Sequence, residues 1–161
     1  MMTRRFLFLG LLSFLSACNL KPLYMQDVNT SSAKIVYVGD VQSRFQQLII
    51  RELVDGSSNF SVDESSSLFL LLTENFSTSA VLASKSGFNS RESIEVNVRF
   101  ALNDRMTAKE VFSGTSFAII PYDRGASEFS NIQAIENAQK RAAVQIAEDI
   151  RTRISAFLAG Q

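Results

Sequence analysis

The sequence predicts an α+β domain of two layers: a mostly antiparallel four-stranded sheet, with two helices on one face, in the order β-α-β-β-β-α. Three observations lead there. Ile94, Val96, Val98, Phe100 and Leu102 alternate with Glu95, Asn97, Arg99 and Ala101, the two-residue period of a half-buried strand. Residues 41–54 and the stretch from about 127 to 158 instead repeat their apolar side chains at three and four residues, the period of a helix. Three of the four strand-like runs follow one another between those helices, which segregates the helices to one side of a sheet.

The chain opens on Met1-Met2-Thr3-Arg4-Arg5, then a compact apolar run from Phe6 to Leu15, then Ser16-Ala17-Cys18. A positive start, an apolar middle and small residues at the end form the layout of a secretory signal. The run is shorter than the roughly 20 apolar residues that a membrane-spanning helix needs. Leu15-Ser16-Ala17-Cys18 resembles a bacterial lipobox, in which the cysteine thiol is acylated and the chain is cut before it. An ordinary cleaved signal and an uncleaved anchor are the alternatives. The lipobox is preferred because Cys18 is the only cysteine of the 161 residues and stands where that chemistry uses one. Burying acyl CH₂ groups is worth about 0.8 kcal/mol each, so two or more chains anchor stably. The expected organisation is therefore a signal peptide over 1–17, a lipidated start and tether over 18–33, and one domain over 34–161.

After the tether, Lys34-Ile35-Val36-Tyr37-Val38 reads as strand one, ending at Gly39-Asp40. Phe45, Leu48, Ile49 and Leu53 place helix one over 41–54. Asp40 or Ser43 can cap it, with Ser43 and Gln46 spaced as a capping box and Gly56 suited to the left-handed position past its end. Leu68 to about Leu82 is strand two, and Gly87 marks a hairpin loop over 84–90. Strand three is the alternating run. Val111 to Ile120 is strand four, stopped by Pro121. Ser127 or Ser130 opens the last helix, in which Ile135, Ala138, Ala142, Ile146, Ile150, Ile154 and Phe157 share one side. About 28 residues of helix span about 42 Å, longer than any strand. Strands two and four do not alternate cleanly: Phe117 and Ile119 oppose Ala118 and Ile120, and Phe69 and Leu71 oppose Leu68, Leu70 and Leu72. Some large apolar side chains must therefore lie on the face that the helices leave open, or at an edge. Such a patch usually marks a partner surface; cover by loops or by sheet twist is the alternative.

Composition narrows the chemistry. The full chain has 16 basic and 16 acidic residues. Cleavage before Cys18 would leave 144 residues, a size that supports a real core, and a side-chain balance of −2. That argues against a dedicated nucleic-acid binder. The chain has no histidine, which removes the usual general base and the commonest metal ligand. A Ser-His-Asp triad is impossible and an ordinary zinc site is close to excluded. No catalytic residue, metal or cofactor is expected. With Cys18 acylated, stability must come from packing without a disulfide.

At this point the chain resembles the LptE family of lipopolysaccharide-assembly lipoproteins, in its alphaproteobacterial form. Cys18-Asn19-Leu20-Lys21-Pro22-Leu23-Tyr24 looks like the family's start, Arg44 to Leu53 like its first helix, Arg91 to Asp104 with Val111 to Gly114 like its central hairpin, and Ala138 to Phe157 like its terminal helix. Asn19 stands where many members have glycine, a departure without consequence for lipidation. The resemblance implies a non-catalytic protein that sits in the lumen of an LptD-type outer-membrane β-barrel, assists assembly of that barrel, and takes part in delivering lipopolysaccharide to the outer leaflet. The implied partners are the barrel, lipopolysaccharide, and the membrane through the acyl anchor. Because lipopolysaccharide carries phosphates, basic side chains are the physical candidates for contact: Lys85 in the hairpin loop, and Arg91 and Arg99 on strand three, with a solvated surface charge as the plain alternative for each. Two further readings compete. An accessory lipoprotein of an envelope ABC-type lipid transporter shares the lipobox and the small α+β domain. A peptidoglycan-gripping lipoprotein would need a carbohydrate-facing pocket that the sequence does not display.

Overall fold

A computed structural model describes residues 35–36, 41–57, 59–62, 66–83 and 90–160, all within the unit Ser32–Gln161. The expected signal, Cys18, the tether and Lys85 lie outside the described residues.

The elements run β1 (Ile35–Val36), α1 (Arg44–Gly56), β2 (Phe60–Ser61), β3 (Leu68–Ala83), β4 (Ser90–Asp104), β5 (Glu110–Arg124) and α2 (Glu128–Ala159). They form the expected α+β fold. The sheet has the order β2-β1-β3-β4-β5, so it carries five strands where four were expected. The extra one, β2, is two residues long and pairs parallel with β1, which also pairs parallel with β3. The long β3-β4-β5 meander is antiparallel throughout.

Both helices begin where capping chemistry places them. The Ser43 hydroxyl accepts from the Gln46 N–H at 3.1 Å, and Ser127 caps α2 the same way through Ser130 N–H at 3.4 Å, satisfying backbone donors that the helix itself leaves free. The capping box is only half made. Gln46 Oε1 accepts from Gln42 N–H rather than from Ser43, and its Nε2 donates to Leu72 O at 3.4 Å, tying α1 to β3.

Two further expectations are corrected. Gly56 is the last residue of α1, without the left-handed φ of a C′ glycine. Its missing side chain admits the Arg151 guanidinium: a Cβ built there would sit 1.7 Å from Arg151 Nη1. Pro121 does not stop its strand either, because β5 continues to Arg124. β5 is the edge of the sheet, and a proline fits an edge strand when its missing N–H faces outward.

The core lies between the helices and one face of the sheet. α2, 32 residues long and so about 48 Å, lies over β5 and β4, and α1 packs beside it. Ile94, Val96, Val98, Phe100 and Leu102 of β4 are buried against Ala138, Ala142, Ile146, Ile150 and Ile154 of α2 and Ile49 and Leu53 of α1. The small side of α2 at Ala138, Ala142, Ala143 and Ala147 lets helix and sheet approach closely. Phe100 stands opposite Gly114, where a Cβ would fall 2.7 Å from Phe100 Cζ; here the glycine is required so that the ring can lie flat across β5. Phe112 stacks on Phe157 with centroids 4.7 Å apart, closing the far end. Arg44 of α1 joins Glu136 of α2 at 3.1 Å. Among the described residues, no helix is long and apolar enough to cross a membrane.

Candidate functional site

Every strand residue buried under the helices leaves its neighbours on the other face, and among the described residues no helix covers that face. The register sets out its rows. Leu71, Ala101 and Ser113 form one, then Thr73, Arg99 and Thr115, then Asn75, Asn97 and Phe117, then Ser77, Glu95 and Ile119, then Ser79, Ser93 and Pro121. Beyond Leu71 the β3 side is thus hydroxyl and amide, the middle is charged and amide past Ala101, and the β5 side carries two large apolar groups, Phe117 and Ile119. Phe117 is 65% exposed and Ile119 55%, while their strand neighbours Ala118 and Ile120 are buried. The uneven alternation seen in the sequence resolves in this way. β5 places its smaller residues Ser116 and Ala118 under α2 and turns Phe117 and Ile119 outward.

Two of the three candidate lipopolysaccharide contacts fall on this open face, and the structure does not gather them. Arg91 and Arg99 are both exposed on β4, but eight residues of strand separate them by about 27 Å. Arg91 is paired with Asp123, its opposite in the register, at 3.6 Å. Arg99 has no ion pair among the described residues and stands between the side chains of Thr73 and Thr115. Arg99 is therefore the cation with an unused charge and hydroxyls beside it. Lys85 lies outside the described residues. Ser79 Oγ contacts Ser93 Oγ at 3.0 Å and donates to Glu95 Oε1 at 3.1 Å, so this corner of the face satisfies itself.

A second polar cluster lies at the helix-side end of the sheet and was not legible in the sequence. Tyr122, directly opposite Glu92, donates its hydroxyl to Glu92 Oε2 at 2.5 Å, and Arg124 reaches Glu92 Oε1 at 3.4 Å. The Tyr122 hydroxyl holds the Glu92 carboxyl below its usual range, with Arg124 acting in the same sense against the opposing effect of burial. Burial first, and Glu92 second, push the Tyr122 hydroxyl up to about 12. A depressed carboxylate tied to a phenol that stays protonated is a staple between strands. It has no base or nucleophile to offer near neutral pH. At the β4–β5 turn, Asp104 is held low by donors from Thr107 and Met106, which fixes the turn.

Among the described residues no three of Asp, Glu, Cys or His stand together as metal ligands would. The hollow between α1 and β2, lined by Ile50, Leu53, Val54, Phe60, Val62 and Leu70, has a volume of about 10 Å³, the scale of a single water. Among the described residues the open face, with Phe117 and Ile119 exposed on it, is the candidate surface.

Comparison with known proteins places this geometry. A family model described as LptE, lipopolysaccharide-assembly, matches residues 20–154. Among solved structures, the chain is similar to a candidate lipoprotein from Caulobacter crescentus CB15, with 23% identity and a TM-score of 0.65 over 81% of this chain and 94% of that one. It is similar to a minor lipoprotein from Acinetobacter baumannii, with 16% identity and a TM-score of 0.56 over 77% and 94%. Rare lipoprotein B from Shewanella oneidensis gives 16% and 0.54 over 79% and 96%. At these identities the three structures speak for the fold. No curated protein matches the chain in sequence.

Proposed function

Since this chain belongs to the LptE family of lipopolysaccharide-assembly proteins, we propose that it is an outer-membrane lipoprotein that lodges in an LptD-type β-barrel, assists assembly of that barrel, and so takes part in lipopolysaccharide delivery to the outer leaflet. The role is non-catalytic. Acyl chains on Cys18 hold the protein at the periplasmic side of the membrane, and two or more such chains suffice for that without a spanning helix.

The observation that carries this reading is the open sheet face. It joins hydroxyl, amide and guanidinium groups with two exposed apolar side chains, Phe117 and Ile119. The lumen of an outer-membrane barrel is walled by polar side chains, so a surface that is mostly polar with a few apolar anchors suits it better than a uniformly greasy one would. A few such anchors carry most of the energy of an interface. Arg99, with Thr73 and Thr115 beside it, is the foremost candidate to contact a lipopolysaccharide phosphate by a charge-assisted hydrogen bond. Arg91, already paired with Asp123, is second, and Lys85 is third.

The test is extraction of the acylated protein from membranes in mild detergent, followed by identification of what accompanies it. A large outer-membrane β-barrel in stoichiometric amount is the expected companion. Recovery with an inner-membrane transporter complex, or alone, would overturn the proposal. Arg99→Glu should weaken binding of purified lipopolysaccharide by the intact protein, and unchanged binding would remove Arg99 from the site.

A further inference from the structure

The sheet ends in a strand with one side unpaired. Among the described residues β5 bonds β4 and nothing beyond it, so alternate residues turn their N–H and C=O away from the sheet. Two independent observations identify which. Pro121 stands opposite Ser93 without interrupting the ladder, which a proline can do only where its missing donor faces outward. On α2, Arg153 Nη1 donates to Thr115 O at 3.3 Å and Arg141 Nη2 to Pro121 O at 2.9 Å, and both carbonyls must point away from β4 to be reached. Thr115, Phe117, Ile119 and Pro121 share that orientation by the two-residue period. Phe117 and Ile119 thus offer two N–H and two C=O groups side by side, without partners among the described residues. The same two residues carry the most exposed apolar side chains of the open face.

We infer that the β5 edge from Ser116 to Ile120 is a strand-addition site, which takes an extended segment of a partner polypeptide into the sheet. Main-chain hydrogen bonds to Phe117 and Ile119 give such a segment its grip, and apolar side chains at alternate positions meet the Phe117 and Ile119 side chains. The guanidiniums of Arg153 and Arg141 close the site at either end, about 20 Å apart along the strand, so the added stretch is short. Their charge also selects the occupant. In a two-fold pairing of β5 with a second copy that sets Phe117 beside Ile119, Thr115 meets Pro121 of the other chain. Arg153 of each copy would then meet Arg141 of the other, at both ends, and like charges across a strand pair are destabilising. Cations on an edge strand are a device against self-association. Arg153 is partly answered by Asp149 at 3.0 Å, whereas Arg141 has no carboxylate among the described residues. The occupant is accordingly a foreign strand with an acidic side chain at the Arg141 end. The outer side of β3 past Phe69, which no strand pairs among the described residues, is built differently. There Gln46 of α1 covers Leu72 O, and Phe45 packs edge-on against Phe76 at 4.7 Å.

This site presupposes that the chain works bound to a protein partner, as proposed above. Amide hydrogen exchange read residue by residue tests it on the full acylated chain in detergent, alone, with the barrel it brings from the membrane, and with two synthetic probes. One probe is an eight-residue alternating Val/Thr peptide ending in Asp; the other is the same peptide N-methylated at alternate residues. In the chain alone, Phe117 and Ile119 should exchange fast while Ser116, Ala118 and Ile120 are protected. The barrel, or the unmodified peptide at millimolar concentration, should slow Phe117 and Ile119 by at least about tenfold, and the N-methylated peptide should not. Fast exchange in both the barrel complex and the peptide mixture overturns the site. So does equal protection by both peptides. Protection in the chain alone together with a doubled mass would mean self-pairing, and also overturns it. Absence of a barrel from the preparation defeats the function proposed above and leaves the peptide arm to decide this site. From the backbone the double variant Phe117→Pro/Ile119→Pro removes only outward-facing N–H groups, and it removes the two exposed apolar side chains with them. It should keep the native circular dichroism and lose at least about tenfold in peptide or barrel affinity; a folded double variant with native affinity overturns the site, and exchange on the native chain decides if it does not fold.

Discussion

Along β4 the two faces of the sheet differ in almost every respect that burial can register. Toward the helices stand Ile94, Val96, Val98, Phe100 and Leu102, all sealed from solvent. Toward the open side stand Glu95, Asn97, Arg99 and Ala101, flanked on β5 by the exposed Phe117 and Ile119 and on β3 by Thr73, Asn75 and Ser77. One face is committed to holding the chain together. The other is decorated without being covered, and its apolar groups stabilise little where they are. The lesson is a division of labour at the level of single strands. Substitution on the helix side should be felt in stability, and substitution on the open side in what the protein binds.

The largest expected effect is on the helix side. Phe100→Ala removes a fully buried ring at the centre of the core and should cost about 3–5 kcal/mol, read as a lowered urea midpoint at unchanged slope. A loss under about 1 kcal/mol would break the division at its strongest point. Gly114→Ala comes next. The new Cβ would fall 2.7 Å from the fully buried Phe100 ring, and overpacking of this kind costs about 1–3 kcal/mol. Gly56→Ala makes a useful contrast, because the atom it meets is the tip of the Arg151 side chain. That tip can swing away, and the better helix propensity of alanine offsets the disturbance.

A pH scan sharpens the same boundary. Tyr122 is buried on the helix side and its hydroxyl is raised from 10.0 to about 12. Between those values the unfolded chain gives up the proton and the folded chain keeps it, so stability should fall as pH rises through the window, by about 3 kcal/mol at most. Tyr122→Phe should flatten that fall; a wild-type curve already flat from pH 10 to about 12 would contradict it. A smaller gain is expected at Ser116, whose hydroxyl is buried under α2 with no hydrogen-bond partner among the described residues. Ser116→Ala relieves that group and should raise stability by about 1 kcal/mol, measured in the same urea titration. Smallest of all, Phe117→Ser and Ile119→Ser should each change stability by less than about 0.5 kcal/mol, although they delete the most exposed apolar side chains of the open face.

The committed face was the legible one. Strict alternation in β4 and the three-four spacing from Ile135 to Phe157 reported burial directly, because a side chain that points into a core must be apolar at a fixed period. That strand four leaves some large apolar side chain on the open face or at an edge was also legible, since Phe117 and Ile119 oppose Ala118 and Ile120, but which pair faces outward was not. What stayed hidden depends on contacts between distant residues. Nothing near Gly114 in sequence announces that Phe100 needs its space, and nothing near Arg91 announces Asp123. β2 has only two residues, too few for any period to show. Pro121 reads as a stop until the strand is known to be an edge, where the same ring becomes permissible. Of the candidate contact residues, Arg99 emerges with an unused charge, Arg91 with a partner, and Lys85 and Cys18 lie outside the described residues.

The account is tested most directly by one paired measurement on Phe117→Ser/Ile119→Ser in the full acylated chain: the urea midpoint, and the amount of outer-membrane barrel recovered with the protein after mild extraction. A midpoint equal to that of the native chain, with barrel recovery reduced at least about tenfold, is the predicted result. Native recovery of the barrel with the midpoint unchanged would contradict it, because the open face would then be neither support nor interface.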